Sequence, residues 1–420
     1  MEAFEAELSK ATKRSNDNLL GAVAMVVDNK GNILYRHAAG RQFLDENSPP
    51  LDPDCTMSLT SAGKFVTNIA ALQLVERDVL TLDEPISRYL PEIDKCLLAE
   101  QSQDVKNGDS DGENKEERKG KRIALRRPTR DVTLRDLLLN TSGMGTCDTY
   151  KERFGNDDRV PRLEFPEDAH YLVKNRSTHL FFEPGEGFDY GWSIYYVQLL
   201  VERLGGKDRF VEYANENIFG ALGMAHSTYL PAQVPEVWER RLQMVERELD
   251  IESGKAHLVA SDESTQGMTC SMSDVARLFG DILSPECKLL RRQEHRDMLF
   301  RPQLSPGSQA HQALLAETTN YGFLLPLEEG VSHKISWSLS PPPAVNWTVA
   351  GVLLEEDDTL PDSGIPKGTV SFEGQPNMIW TMNRERGRMM LFGNQLLPGY
   401  DVIAHNLATY FMRHAWKTFS

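Results

Sequence analysis

The chain has 420 residues, 40% of them hydrophobic, enough to bury a sizeable core and to build two or three domains. A formal charge of −16 sets it against nucleic-acid phosphates, and its one dense basic stretch, residues 119–130, has no interleaved aromatics to stack on bases. No apolar run approaches the roughly 18 residues of a membrane helix, and the five cysteines (Cys55, Cys96, Cys147, Cys270, Cys287) are too scattered for a disulfide framework or a zinc site.

In chain order, residues 3–14 read as a helix, 21–27 as a strand, Asp28-Asn29-Lys30-Gly31-Asn32 as a turn and 33–37 as the returning strand of a hairpin. Residues 61–75 are apolar almost all round (Phe65, Val66, Ile69, Ala70, Leu72, Leu74), the pattern of a helix buried inside a domain. Asp78 and Leu82-Asp83-Glu84-Pro85 end it. Residues 100–130 are poor in apolar side chains and rich in Asp, Glu, Lys, Arg, Ser, Asn and Gly, which predicts a disordered surface insertion. Helical character resumes at 134–139 and 193–204, and again at 273–283 with Ser273 as the expected N-cap.

The texture changes after about residue 318. Residues 345–354, 368–372, 378–383 and 388–394 read as strands, Arg384-Glu385-Arg386-Gly387 as a hairpin turn and 401–417 as a closing amphipathic helix. The expected organisation is an α/β lobe from residues 1–80 and 318–420, with a mainly helical lobe, 81–317, inserted between them.

Ser61-Ala62-Gly63-Lys64 places a serine and a lysine one helical turn apart, so both side chains project from one face. A serine hydroxyl becomes a useful nucleophile when a neighbour takes its proton, and a lysine kept neutral by its surroundings can do so. The spacing alone carries little weight, since about one such tetrad is expected by chance in a chain of this composition. Its position carries more. The pair opens a buried apolar helix, where a lysine is costly without a specific role, and free N–H groups of a first turn can stabilise an oxyanion.

The motif is followed by Leu80-Thr81-Leu82-Asp83-Glu84-Pro85-Ile86, by Tyr89-Leu90-Pro91-Glu92-Ile93 and by Val132-Thr133-Leu134-Arg135-Asp136-Leu137-Leu138-Leu139-Asn140-Thr141-Ser142-Gly143-Met144. Over most of its length the chain resembles the serine β-lactamase-like superfamily. That group includes class C β-lactamases, family VIII esterases of the same fold, D-alanyl-D-alanine carboxypeptidases and fungal transesterases of the lovastatin-pathway type. The resemblance implies a β-lactamase/transpeptidase-like fold, an antiparallel sheet flanked by helices with an inserted helical lobe. The family usually has His where this chain has Asn140.

The resemblance assigns the family's catalytic tyrosine to Tyr190, in Phe182-Glu183-Pro184-Gly185-Glu186-Gly187-Phe188-Asp189-Tyr190-Gly191-Trp192-Ser193. Its phenol would relay a proton between Ser61, Lys64 and the leaving or entering group. A core aromatic at a helix entry is the competing reading. Trp192 stands where β-lactamases keep an asparagine, which removes a donor for a lactam side-chain amide and points to the transesterase-like branch. As a wall for an acyl group or as plain core, Trp192 weighs about evenly. The family's strand motif, Lys-Thr-Gly in β-lactamases, is matched by Phe372-Glu373-Gly374 followed by Gln375. Backbone N–H groups at Gly374 or Gln375 would complete an oxyanion hole with that of Ser61. Glu373 has no assigned role. Trp192, Phe372 and Tyr150 are the expected substrate-binding side chains. The block Gly267-Met268-Thr269-Cys270-Ser271-Met272-Ser273-Asp274-Val275 is expected to be structural.

No Gly-x-Ser-x-Gly elbow, His-Glu-x-x-His, P-loop or dinucleotide fingerprint is present, and no cofactor or metal is expected. The expectation is a cytoplasmic acyltransferase, monomeric or weakly oligomeric. It would move an acyl group from a thioester or ester, a carrier-protein-bound form included, to a hydroxyl acceptor in secondary metabolism. An esterase and a non-catalytic binding protein on the same scaffold are the alternatives.

Overall fold

A computed structural model describes residues 1–15, 18–101, 123–146, 149, 163–249, 256–261, 267–320, 323–328, 331–335, 345–358 and 363–420. They form two compact units. The first comprises Met1–Val79, Val201–Ser305 and Leu315–Ser420, and the second Leu80–Leu200 and Pro306–Leu314.

The first unit is built on a seven-stranded sheet. In spatial order its strands are Val345–Trp347, Val352–Leu354, Thr369–Gly374, Met378–Asn383, Arg388–Asn394, Gly21–Asp28 and Ile33–Gly40, and every neighbouring pair is antiparallel. In Gly21–Asp28 every residue but Asp28 is buried, the mark of a strand covered on both faces. One face carries the N-terminal helix Glu2–Ala11, which buries Phe4, Leu8 and Ala11 at helical spacing, and the closing helix Val402–Phe419. Phe4 packs against Phe392 and Phe411 with ring centroids 6.5 and 5.2 Å away. The opposite face carries helices Lys64–Glu76 and Met272–Leu283, whose Phe65 and Phe279 meet Trp380 at 5.3 and 5.2 Å.

Residues 201–305, grouped by sequence texture with the helical middle, lie in this first unit. Their tie to it is a three-stranded sheet in which Thr269–Ser271 pairs antiparallel with both Thr56–Ser58 and Ser227–Thr228. Two further details differ from expectation. The stretch 345–354 is two strands, because Thr348 accepts the N–H groups of Ala350 and Gly351 on its hydroxyl and turns the chain. The helix after residue 271 is capped by Ser271, whose side chain takes the Asp274 N–H, while the Ser273 N–H is bound by Asp54.

In the second unit, Leu98–Gln101 and Ile123–Arg126 pair antiparallel. The flanks of the expected disordered insertion are therefore strand, with Arg126 bridging Glu100 and Glu183 at 2.6 Å each; residues 102–122 lie outside the described residues. Helix Leu134–Leu138 starts on a capping box between Thr133 and Asp136, and Arg130 grips the Asp136 carboxylate through both terminal nitrogens at 2.7 Å. Helices Tyr171–Arg176 and Ser193–Leu204 follow.

Candidate active site

Strand Thr56–Ser58 delivers the chain to Ser61, and the first feature there is a strained residue. Thr60 is β-branched yet sits at φ +45°, in the left-handed region. Thr60–Gly63 forms a 3-10 turn that runs into helix Lys64–Glu76, so Ser61 lies in the turn and Lys64 opens the helix. The Lys64 N–H bonds back to the Ser61 carbonyl, and both side chains are half-buried at the head of a helix that is otherwise almost wholly buried.

Four contacts fix this turn. Gln395 clamps the Ser58 backbone with its amide, accepting the N–H at 3.0 Å and donating to the carbonyl at 3.1 Å. The Leu59 N–H donates to the Met268 carbonyl at 2.8 Å. The Trp380 indole N–H donates to the Ala62 carbonyl at 2.8 Å. Finally, the Gln375 N–H donates to the Thr60 hydroxyl oxygen at 3.0 Å. Sequence reasoning singled out none of Thr60, Trp380 and Gln395, because each acts across a long chain separation and no motif marks it.

The end of strand Thr369–Gly374 comes against the turn. A Cβ on Gly374 would lie 2.3 Å from the Leu59 carbonyl oxygen and 2.6 Å from the Thr60 hydroxyl, so only glycine allows this approach. Strand alternation also places Glu373. Phe372 pairs opposite Trp380 and so shares the face that carries the Ser61 helix, whereas Glu373 pairs opposite Ile379 and points to the other face. Thr381, two residues along from Ile379, accepts the Trp416 indole N–H and identifies that other face as the one under the closing helix. Glu373 is buried there and is no part of the Ser61 surroundings. Phe372 is buried edge-on to Trp347. The Gln375 N–H, expected as an oxyanion donor, is engaged by Thr60.

Cys270 lies on the strand beside the turn and is fully buried. Burial raises its thiol pKa well above the ordinary value, so it stays protonated and does not compete as a nucleophile. Among the described residues, no group of three His, Cys, Asp or Glu side chains is placed to hold a metal ion.

Tyr190 and Trp192 belong to the second unit, where two sequence blocks are joined by backbone hydrogen bonds. Phe181 N–H donates to Gly143, Gly185 N–H to Thr141 and Asp189 N–H to Asn140, at 2.8, 2.7 and 3.0 Å. The Ser142 and Ser193 hydroxyls are 2.8 Å apart. The Gly191 N–H reaches the Asp189 carbonyl at 2.7 Å, so Tyr190 is the central residue of a three-residue turn and half-exposed. Asn140 supports the arrangement at φ +57°, a conformation that Asn and His tolerate better than most side chains, so the departure from His is a mild one. Trp192 is buried, with the Arg176 guanidinium 5.4 Å above its ring and 5.0 Å from that of Tyr195. Tyr150 lies outside the described residues.

The structure thus gathers Ser61, Lys64, Phe372, Gly374 and Gln375 in the first unit and carries Tyr190 and Trp192 on one loop of the second. Known proteins share this architecture. The chain is 28% identical to the acyltransferase calJ of Penicillium decumbens over 100% of this chain and 99% of the relative. It is 25% identical to a lovastatin esterase of Penicillium rubens, over 87% of this chain and 86% of the other. The solved structure of unliganded simvastatin synthase from Aspergillus terreus superposes with a TM-score of 0.74 at 26% identity, covering 100% of this chain and 98% of that one. The beta-lactamase family model matches residues 3–387, and the chain belongs to that family.

Proposed function

We propose that the chain is an active-serine acyltransferase that moves an acyl group from a thioester or ester to a hydroxyl acceptor through an acyl-enzyme on Ser61. The observation that carries this is the Ser61 turn, with a lysine one turn on and a glycine strand end packed directly against it. Lys64 takes the Ser61 proton, and the Tyr190 phenol carries protons to the leaving group and from the entering hydroxyl. The names of the similar proteins support acyl chemistry of this kind: an acyltransferase, a synthase and an esterase on the same scaffold.

Two replacements favour ester or thioester chemistry over lactam hydrolysis. Phe372 puts an apolar ring in place of the strand lysine, and Trp192 puts an indole in place of the asparagine amide. Both suit an apolar acyl chain better than a polar antibiotic. The acceptor is a hydroxyl-bearing small molecule of secondary metabolism, and a carrier-protein-bound acyl group is one form of donor. A cytoplasmic setting fits the thiols of Cys55, Cys96, Cys270 and Cys287, all buried and free. Hydrolysis is the second reading, favoured by the esterase relative; it differs only in that water resolves the acyl-enzyme.

Intact-mass spectrometry after exposure to a butanoyl thioester tests the mechanism. The expected result is one butanoyl adduct on wild-type protein, mapping to Ser61 and lost in Ser61→Ala. An unmodified wild type, or full turnover by Ser61→Ala, overturns it. Adding an alcohol then separates transfer from hydrolysis by the product formed.

A further inference from the structure

The Gln375 N–H, in the place where a backbone oxyanion donor is expected, is spent on the Thr60 hydroxyl oxygen at 3.0 Å. Among the described residues that hydroxyl accepts this one hydrogen bond and donates none. Its proton is therefore available, and Thr60 directly precedes Ser61, whose N–H is the other expected donor. A hydroxyl whose oxygen already accepts an N–H is polarised and becomes the stronger donor.

The backbone at Thr60 gives a second, independent observation. A β-branched residue at φ +45° is an outlier that costs free energy and persists only where its surroundings enforce it. Here they do. A Cβ on Gly267 would come within 3.2 Å of the Thr60 Cα, and one on Gly374 would come within 2.6 Å of the Thr60 hydroxyl. The Ala62 N–H closes the turn on the Leu59 carbonyl at 2.9 Å. Glycine would occupy this φ without strain, and valine would share the strain without the oxygen. What threonine adds over valine is a hydroxyl, and over serine a branched Cβ that restricts its rotamer.

We propose that the Thr60 hydroxyl, held by the Gln375 N–H, is the second oxyanion donor of the site beside the Ser61 N–H. This rests on the acyl-enzyme reading above. As Ser61 Oγ bonds to the acyl carbon, its proton passes to the Lys64 amine and the carbonyl π pair moves onto the oxygen. That oxygen is held by the Ser61 N–H and the Thr60 O–H. When the intermediate collapses, the pair returns, the bond to the thiolate or alkoxide breaks, and the leaving group takes the proton. Thr60 keeps its own proton throughout, and the chain N–H···O–H···O⁻ stabilises the developing charge.

Single-turnover acylation of Ser61 by a butanoyl thioester, read by intact mass, tests this on the full chain together with the melting temperature. Thr60→Val keeps shape and strain but removes the hydroxyl, and is expected to acylate about 100-fold more slowly with substrate affinity little changed. Thr60→Ser restores the hydroxyl and stays within a few-fold of wild type. Thr60→Gly relieves the backbone, and is expected to melt at or above wild type while acylating as slowly as Thr60→Val. Higher stability with lower rate is a pairing that a purely structural threonine would not produce. If Thr60→Val or Thr60→Gly acylates as fast as wild type or faster, the proposal is overturned. Should Thr60→Val fail to fold, Thr60→Gly alone decides. An absent Ser61 adduct in wild type would instead overturn the underlying acyl-enzyme reading.

Discussion

The Ser61 turn and the Tyr190 loop are held in place by opposite means. Three of the four contacts that fix the turn use a side chain across a long chain separation: the Trp380 indole on Ala62, the Gln395 amide on Ser58 and the Thr60 hydroxyl that accepts the Gln375 N–H. The loop is fixed largely by backbone meeting backbone, with Gly143 and Gly191 letting two segments approach. The first arrangement is vulnerable to the loss of a large side chain and the second to the gain of a small one.

The largest effect should come from Trp380, which is fully buried and carries both the aromatic contact with Phe65 and the bond to Ala62. Trp380→Ala is expected to cost about 3–5 kcal/mol in denaturant unfolding. Trp380→Phe fills most of the space but leaves the Ala62 carbonyl without its donor, at a cost of about 1–3 kcal/mol. Both should slow Ser61 acylation, because the turn loses one of its ties to the sheet. If Trp380→Phe alters stability but not the acylation rate, the indole is packing and not positioning.

Acidification probes the first unit from a different side. His405, on the closing helix, is buried, and burial holds its pKa down to about 4 against an ordinary 6.5, with the nearby Asp401 opposing. Between those values the unfolded chain binds a proton that the folded chain refuses. The contribution of neutral His405 to stability is therefore complete above about pH 6.5 and is lost as pH drops toward 4, by on the order of 3 kcal/mol. His405→Leu should flatten that stretch of the stability profile; a profile unchanged by the substitution would remove His405 as its cause.

The same contrast explains what could be read from the chain. The Tyr190 loop was legible because its devices are local: glycines, a proline and a polar block whose order already resembles a known family. The sheet strands and closing helix were legible from their apolar periodicity. The break at Thr348 was not, because a hydroxyl turn inside a run of buried residues leaves the hydropathy pattern intact. The partners of the Ser61 turn were hidden for a different reason. Thr60 and Gln375 are 315 positions apart, and Trp380 and Ala62 are 318 apart, so no local spacing records them. The face taken by Glu373 needed only the strand's register, which a sequence does not supply.

On the loop side, Gly191→Ala tests the vulnerability to added bulk. Its Cβ would fall 2.2 Å from the Met144 carbonyl oxygen, a backbone atom that can move only if the two segments separate. The expected cost is about 1–3 kcal/mol, with a fall in turnover as Tyr190 moves. A variant that keeps wild-type stability and activity would mean that the two segments are less tightly joined than their hydrogen bonds indicate.

The smallest effect, and the sharpest test of the backbone argument, lies at Asn140. Its φ of +57° places it in the left-handed region, and its carbonyl receives the Asp189 N–H next to Tyr190. If conformation is what this position needs, Asn140→Gly should match wild type within a few tenths of a kcal/mol, since glycine adopts the angle freely. Asn140→Ala should lose about 1 kcal/mol, because alanine keeps the crowding Cβ but lacks the short polar side chain whose local hydrogen bonding lets asparagine tolerate this conformation. The order disappears if the asparagine amide itself is required: both variants would then lose turnover together, and glycine would fare no better than alanine. Thermal melts and kcat measured on the same pair separate the two, because a backbone requirement moves stability in alanine alone, whereas a side-chain requirement moves kcat in both.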